Sequence, residues 1–226
     1  MVNFSMAKQA GDCTIEGRAS KWLFYRIFKI TKIQNLHRWN LTPLQARQLQ
    51  EKLSGRIFAA AVVFSFPQLE RVETVPAELP LVFPYVPGLL SFREIPVCLE
   101  AVKQINQAVD VWLVDGQGIA HPRRIGLASH LGLFLNTPPL GCAKSRLIGT
   151  YTEPKPEKGS FSWLYDKGEK ISAVVRTRTG VKPLFVSPGH LCSFEDAIYY
   201  TLACTTKVRL PEPTRIAHRT VAKVKS

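Results

Sequence analysis

The chain has 226 residues, of which 46% are hydrophobic. This length suits one domain with a single large core, and the composition excludes general disorder. Lysine and arginine number 30 against 17 aspartates and glutamates, which gives a net charge of +13. Such a surplus favours a polyanionic partner, nucleic acid first, although a basic protein that binds none has the same charge. No apolar run approaches the roughly 18 residues needed to cross a bilayer, so no membrane association is expected.

The cysteines indicate a reducing environment. They are Cys13, Cys98, Cys142, Cys192 and Cys204. They are odd in number, lie far apart and include no C-x-x-C pair, so we expect neither a disulfide framework nor a structural zinc site. The sequence therefore predicts a cytoplasmic location.

The first 36 residues differ from the rest of the chain. Residues 21–29 (KWLFYRIFK) are basic and aromatic but carry no cleavage signal. They are compatible with a targeting or membrane-surface helix. The favoured interpretation is an extension, residues 1–36, that is not part of the fold. The predicted domain then covers 37–218 and is followed by a basic tail, 219–226.

The first part of this domain shows clear helix and strand signals. Residues 42–45 (TPLQ) form a capping-box pattern with proline at the first helical position, and Gly55 supplies the stop. The apolar run 57–64 predicts a strand buried on both faces. Residues 69–75 alternate polar and apolar side chains and predict the returning strand of a hairpin.

Strands and helices then alternate. Residues 91–94 (SFRE) form a second capping-box pattern, opening a helix toward Asn106, and an apolar strand over 109–114 ends at Asp115. The remaining predicted elements are a helix over 125–135, a strand over 140–143, a loop over 152–160, a hairpin over 171–177 and 183–186, a helix from Ser193 to Cys204, and a loosely ordered tail over 205–226. This alternation predicts an α/β layered domain.

Two carboxylates are candidates for chemistry. Asp115 follows a buried strand and precedes Gly116, and ligands of open α/β sheets bind at such strand ends. An ordinary turn aspartate has the same pattern, but the nearby His121 and Arg123 suit phosphate. Glu94 is explained by its capping-box position alone, although a carboxylate in a first helical turn can also face a site.

Other candidates lie in loops and near the C-terminus. Tyr85 stands between Pro84 and Pro87, so its ring is either a rigid stacking platform for bases or a lid over the core. Lys144 follows a predicted strand, where it either holds a phosphate or is solvated. His218 lies in a basic segment and indicates little by itself.

Five longer segments stand in a defined order along the chain. They are PYVPGLLSFRE (84–94), VDGQGIAHPRR (114–124), GLASHLG (126–132), GCAKSR (141–146) and PEPT (211–214). In this order and spacing they resemble the endonuclease V family, as does HRWNL (37–41). The resemblance covers about residues 37–218. It implies a ribonuclease H-like mixed sheet flanked by helices, and a DNA repair endonuclease that cuts the backbone 3′ to deaminated bases such as deoxyinosine.

The resemblance also assigns roles to residues. Its implied metal ligands are Glu94 and Asp115, binding Mg²⁺ with Mn²⁺ as an alternative, and Lys144 and His218 complete the catalytic set. Tyr85 corresponds to a strand-separating wedge. The implied DNA-binding residues are Tyr85, Pro84, Pro87, His121, Arg123 and Lys144, and the implied base pocket is Gly88, Leu90, Gly116 and Gly118. The expected partner of this monomer is DNA containing deaminated bases, with inosine-containing RNA as an alternative.

One part of the family pattern has no counterpart in the sequence. The family has a strand V-A-G-x-D-x-S between its first helix and the next strand, and its aspartate is a metal ligand. Here the predicted helix ends at Gly55 and the strand follows at once, and no aspartate occurs from Cys13 to Val109. We therefore expect a sheet that lacks its central first strand, or one in which another segment fills the slot. Residues 22–30 are the one spare apolar segment.

Three functions are compatible with these observations. The first is an active divalent-metal endonuclease on inosine-containing DNA. The second is a catalytically impaired relative that only binds deaminated DNA or RNA. The third is a basic α/β scaffold protein, which leaves the run of motifs unexplained.

Overall fold

The computed structural model describes residues 21–27 and 55–224. The strands are β1 (Lys21–Ile27), β2 (Arg56–Ser65), β3 (Arg71–Pro80), β4 (Trp112–Val114), β5 (Pro139–Ala143), β6 (Thr150–Tyr151), β7 (Phe161–Asp166), β8 (Glu169–Val175) and β9 (Leu184–Pro188). The helices are α1 (Leu90–Lys103), α2 (Leu127–Leu135), α3 (Phe194–Ala203) and α4 (Glu212–Val224). None of the helices in these residues is long and apolar enough to span a membrane.

All nine of these strands belong to one mixed sheet. Its order is β3-β2-β1-β4-β5-β9-β8-β7-β6. The pairs β1–β4 and β4–β5 are parallel, and the other neighbours are antiparallel. Parallel neighbours end at the same edge of a sheet, which is where α/β proteins bind ligands. The chain segment after β4 therefore occupies the position expected for a site.

The slot between β2 and β4 is filled by the N-terminal segment. β1 pairs antiparallel with β2 over its full length, from Lys21 opposite Ser65 to Ile27 opposite Ala59. It also pairs in parallel with β4, where Tyr25 lies opposite Val114. Residues 21–27, which were expected to stand outside the fold with the rest of residues 1–36, form a strand of this sheet. The physical reason is that β2 and β4 each need backbone hydrogen-bond partners on this side.

The β2–β3 hairpin confirms the sequence prediction. The apolar run became a strand whose residues 59–64 are all buried, because it is covered on both faces. Alternate residues of β2 pack into different clusters: Ala61 and Val63 face the side of α1 and α2, whereas Val62 faces the side of α3 and α4. The sheet is thus the middle layer of an α/β fold, as predicted.

Two similar sequence patterns at helix starts behave differently. Ser193 caps α3 as predicted, and its Oγ accepts a hydrogen bond of 3.0 Å from the backbone N–H of Asp196. Ser91 is not an N-cap, because α1 already begins at Leu90. Its Oγ instead lies 3.0 Å from Nδ1 of His130 on α2. The capping-box explanation of Glu94 is therefore wrong.

Two parts of the fold differ from the sequence prediction. The segment expected to be loosely ordered contains α4, because Thr214, Ala217 and Val221 form a buried stripe beneath its basic residues. Strand β7 was not predicted, since its sequence, FSWLYD, does not alternate regularly between polar and apolar residues. It pairs with β8 and with the short outer strand β6. The helix predicted from Thr42 lies outside the described residues.

Candidate active site at the end of strand β4

Glu94 and Asp115 lie at one cavity. β4 is buried throughout and delivers Asp115 at its C-terminal end, and α1, which packs on β2 and β3 in the same hydrophobic cluster, contributes Glu94. Both residues line a cavity of about 260 Å³. Its other walls come from the loop before α1, the turn after β4, the start of α2 and the segment after β5. The predicted convergence of the two carboxylates is confirmed.

The environment of Glu94 opposes its negative charge. Its side chain is buried, with 6% of the residue exposed. Burial raises the pKa of Glu94 to about 8, and the nearby carboxylate of Asp115 adds to this rise, while the positive charge of Arg93 counteracts it. A buried carboxyl beside a second carboxylate favours either a proton or a cation as its partner. Such perturbed groups are typical of functional sites.

Asp115 is held by a lysine from the neighbouring strand end. Lys144 follows β5, and its Nζ donates a hydrogen bond of 3.2 Å to Oδ2 of Asp115. The Asp115 side chain is 11% exposed and that of Lys144 is 35% exposed. Lys144 is therefore the more exposed partner of this ion pair. The structure brings these two predicted residues together.

The turn after β4 is packed by backbone contacts. A Cβ at Gly118 would lie 2.1 Å from the carbonyl oxygen of Pro188 in β9, and a Cβ at Gly126 would lie 2.3 Å from that of Gln117. A Cβ at Gly141 in β5 would lie 2.5 Å from the carbonyl oxygen of Gly116. No side chain fits at these three positions, so the path of the turn depends on glycine.

This packing changes one predicted role. Gly118 was expected in the base pocket together with Gly88, Leu90 and Gly116. The latter three line the cavity, whereas Gly118 is buried against β9, where its N–H donates to Oγ of Ser187 at 2.7 Å. Gly118 therefore shapes the turn behind the site and is not a wall of the cavity.

An exposed tyrosine stands at the rim. Tyr85 lines the cavity and is 48% exposed, so the prediction that it covers the core does not apply. Its loop ends at Gly88, whose φ of +79° favours glycine. Arg123 fixes this loop, because its Nη1 donates a hydrogen bond of 2.8 Å to the carbonyl oxygen of Gly88. Pro84 and Pro87 flank the ring but do not line the cavity.

The cavity contains further polar residues. His121 is buried in its wall, and desolvation, aided by the positive charge of Arg123, lowers the pKa of His121. The imidazole is therefore neutral at neutral pH. Sequence reasoning missed Ser91 and Gln117, which also line the cavity. Arg146, which flanks Lys144 in the sequence and was expected beside it, lines the cavity too.

His218 is the predicted catalytic residue that the cavity does not include. It lies on α4, which packs against β1, β2 and β4, and it is absent from the described lining of the cavity. No group of three or more His, Cys, Asp and Glu side chains that could share a metal ion occurs within residues 55–224. The described donor set is therefore the pair Glu94 and Asp115.

A mixed sheet with this strand order, carrying a carboxylate at the end of β4 and a second one on the adjoining helix, defines a ribonuclease H-like nuclease. The comparison with known proteins narrows the class. The Endonuclease V family model matches residues 45–219 of this chain. The chain belongs to the endonuclease V family.

Individual relatives agree with this assignment. The chain is 46% identical to Endonuclease V of Alkalilimnicola ehrlichii over 214 residues, covering 83% of this chain and 94% of that protein. The crystal structure of Endonuclease V from Streptomyces avermitilis matches with a TM-score of 0.73 at 36% identity, covering 83% and 94% of the two chains. Endonuclease V of Ciona intestinalis, solved in complex with a 24mer DNA containing an inosine followed by a ribo-adenosine, matches with a TM-score of 0.70 at 28% identity, covering 91% and 86%.

The Alkalilimnicola alignment also contains a length difference. The covered 83% of 226 residues is about 188 residues, whereas the alignment has 214 positions. About 26 positions, the difference between these two values, therefore have no residue of this chain opposite them. The relative therefore has residues, in one or more places, that this chain does not match.

Proposed function

We propose that this chain is a nuclease that recognises a deaminated base such as deoxyinosine in DNA and cuts the backbone on its 3′ side. The observation that carries the proposal is the convergence of Glu94, Asp115 and Tyr85 on one cavity. The Ciona relative bound to inosine-containing DNA supports the choice of substrate. The net charge of +13 supports a polyanionic partner.

The rim and the cavity have separate tasks in this proposal. Tyr85 enters the duplex beside the deaminated base and stacks where that base had been. The everted base then lies against Gly88, Leu90 and Gly116, which leave room for a planar ring. Everting a base costs a few kcal/mol and least for a mispaired one, which favours deaminated positions. Arg123 keeps Tyr85 in place through Gly88.

The carboxylates fit one hard divalent cation. Mg²⁺ is commonly held by one or two carboxylates together with waters and substrate phosphate, and Glu94 and Asp115 supply that pair. When bound, Mg²⁺ or Mn²⁺ would polarise the scissile phosphate and favour ionised water. Lys144 orients Asp115 and offers its ammonium group to the phosphate. Neutral His121 can accept or donate a hydrogen bond in the cavity wall.

A second candidate function is binding without efficient cleavage, and a specific observation favours it. β1, which neighbours β4, has the sequence KWLFYRI and carries no carboxylate. The lack of any aspartate from Cys13 to Val109 supports loss of the family strand that bears the first aspartate. With two ligands instead of three, the cation is held less firmly, while the DNA-contacting residues Tyr85 and Arg123 are retained.

Two measurements on one protein preparation separate these functions. Binding is followed by fluorescence anisotropy on inosine DNA and on matched adenine DNA, and nicking by gel electrophoresis with and without Mg²⁺. Inosine preference with Mg²⁺-dependent nicking supports the nuclease, and preference without nicking supports the binding function. Equal affinity for both DNAs contradicts both.

Tyr85→Ala tests the wedge. Loss of a stacking aromatic weakens binding to inosine DNA by about 1–3 kcal/mol. Tyr199→Ala is the matched control, because Tyr199 is an exposed tyrosine on α3, 57% accessible against 48% for Tyr85, that does not line the cavity. Unchanged affinity in Tyr85→Ala would refute the wedge role.

A further inference from the structure

A second cavity lies next to the candidate active site. It has a volume of about 340 Å³ and is lined by Thr150, Tyr151, Thr152, Ser162, Trp163 and Tyr165. These residues come from β6, β7 and the residue after β6, at the outer edge of the sheet. Of its three aromatic side chains, Tyr151 packs with Phe185 on one face of the sheet and Trp163 packs toward α3 on the other, so the exposed Tyr165 is the ring that a planar ligand can reach.

Arg146 connects the two cavities. It lines the cavity of Glu94 and Asp115, and its guanidinium carbon lies 5.9 Å from the centre of the Tyr151 ring in the second cavity. Its Nη1 donates a hydrogen bond of 3.0 Å to the carbonyl oxygen of Gly149, which orients the group between them. The exposed guanidinium retains donors that suit a phosphate. A phosphate at Arg146 would join a group in one cavity to a group in the other.

The accessible ring of Tyr165, which is 44% exposed, favours a base as the ligand. The Trp163 ring is covered instead, because Nζ of Lys170 lies 4.2 Å from its centre and the Phe194 ring centre lies 5.6 Å away. Aromatic rings beside basic side chains are the usual arrangement for single-stranded nucleic acid, because each base has a face that stacks. The hydroxyls of Thr150 and Thr152 can bond to the edge of a base or to sugar oxygens.

We infer that this second cavity, named here the flanking subsite, binds an unpaired nucleotide of the same DNA strand, next to the one processed at Glu94 and Asp115. Arg146 holds the phosphate between the two nucleotides. The inference rests on the proposed function, since it places the strand relative to that site. If the flanking subsite is occupied in this way, the affinity of the protein for DNA depends on the length of the DNA as well as on the deaminated base.

The test uses Tyr165→Ala and two single-stranded inosine oligonucleotides. The short one carries a single nucleotide on each side of inosine, and the long one is extended by several nucleotides on both sides. Loss of one stacking ring should weaken binding of the long oligonucleotide by about 5-fold or more. Binding of the short one should change less, because it contacts the flanking subsite incompletely. Tyr165→Phe should restore the wild-type length dependence.

Controls separate this inference from the proposed function. Tyr199→Ala removes an exposed tyrosine that lines neither cavity and should alter neither affinity. Equal effects of Tyr165→Ala on both lengths, or no effect on the long oligonucleotide, overturn the flanking subsite. If wild-type protein binds long adenine DNA as tightly as long inosine DNA, the proposed function fails. The flanking subsite is then judged by the effect of Tyr165→Ala on that adenine DNA.

Discussion

β1 and β4 lie side by side in the sheet and run in the same direction, yet they contribute differently to the site. β4 is followed by Asp115, whereas β1 consists of KWLFYRI and has no acidic residue. Strand pairing uses main-chain atoms, so many sequences can occupy the same slot. Binding of a metal or a phosphate depends on a particular side chain at a particular position. The slot in the sheet and the chemistry at its end are therefore separable properties.

The largest expected effect comes from removing β1. Deletion of residues 1–27 removes the hydrogen-bond partners of the backbone N–H and C=O groups of β2 and β4 that face β1. Each such group that stays buried without a partner destabilises the fold by about 1–3 kcal/mol. Several such losses exceed the stability of a typical domain, about 5–15 kcal/mol, so the protein should lose cooperative unfolding in urea followed by circular dichroism. Deletion of residues 1–20 keeps β1 and serves as the control. A cooperative transition in the longer deletion would show that β1 is dispensable.

Glu94→Gln sharpens the comparison from the side of β4. A carboxyl whose folded pKa is about 8 rather than 4.5 keeps its proton in the folded state, so wild-type stability falls as pH rises from 4.5 to 8 and then levels off. The glutamine variant has no such ionisation, so its stability does not fall over this pH range. In EDTA at pH 8.5 its free energy of unfolding should exceed that of wild type by on the order of a few kcal/mol, whereas at pH 4.5 the two should differ little. Urea unfolding at both pH values measures this, and parallel pH profiles would contradict the raised pKa.

Tyr25→Asp tests whether a single carboxylate on β1 is enough to complete the proposed metal site. Tyr25 lies opposite Val114, the residue before Asp115, so an aspartate there stands at the level of the site. A third carboxylate should increase the affinity for Mg²⁺ and raise the nicking rate of inosine DNA by about tenfold or more. Tyr25→Asn has the same shape without the charge and should not gain activity. Equal rates for the two variants would show that β1 does not face the reacting phosphate.

The smallest expected effect concerns the rim, which β1 does not build. Arg123→Ala removes the hydrogen bond to Gly88 and loosens the Tyr85 loop, weakening inosine DNA binding by about 1 kcal/mol. Arg178→Ala is the control, because Arg178 also donates to a carbonyl oxygen, that of Lys207, away from the cavity. If the loss persists undiminished when Tyr85 is already alanine, Arg123 acts on DNA directly and not through the loop.

The sequence predicted best what depends on local pattern. The β2 strand followed from an unbroken apolar run, and the cap of α3 followed from Ser193. The cap predicted at Ser91 failed, because α1 begins one residue earlier and His130, distant in sequence, engages the Ser91 hydroxyl. β1 pairs with β2 and β4, which lie far along the chain, so the sequence offered residues 22–30 only as a spare apolar segment. β7 forms a local hairpin with β8 and was missed all the same.

The residues of the candidate site that lie within the long sequence motifs could be predicted. Glu94, Asp115, Lys144 and Tyr85 come together as the resemblance implied. The environment that raises the pKa of Glu94, and the guanidinium of Arg146 between two cavities, arise from packing of separate elements. Gly118 was placed on the wrong side of the turn, because a sequence does not show which side of a glycine another backbone approaches.

The close backbone contacts at Gly118, Gly126 and Gly141 have a consequence for how this protein tolerates change. Each of the three would place a Cβ within 2.5 Å of a carbonyl oxygen, and two of these oxygens belong to the turn that carries Asp115. A library screened for activity would therefore reject nearly every substitution at these positions, as it would at Asp115 itself. Such a screen would rank Gly118 and Gly141, which do not line the cavity, among the functional residues, whereas a parallel screen for folded protein would separate the two groups.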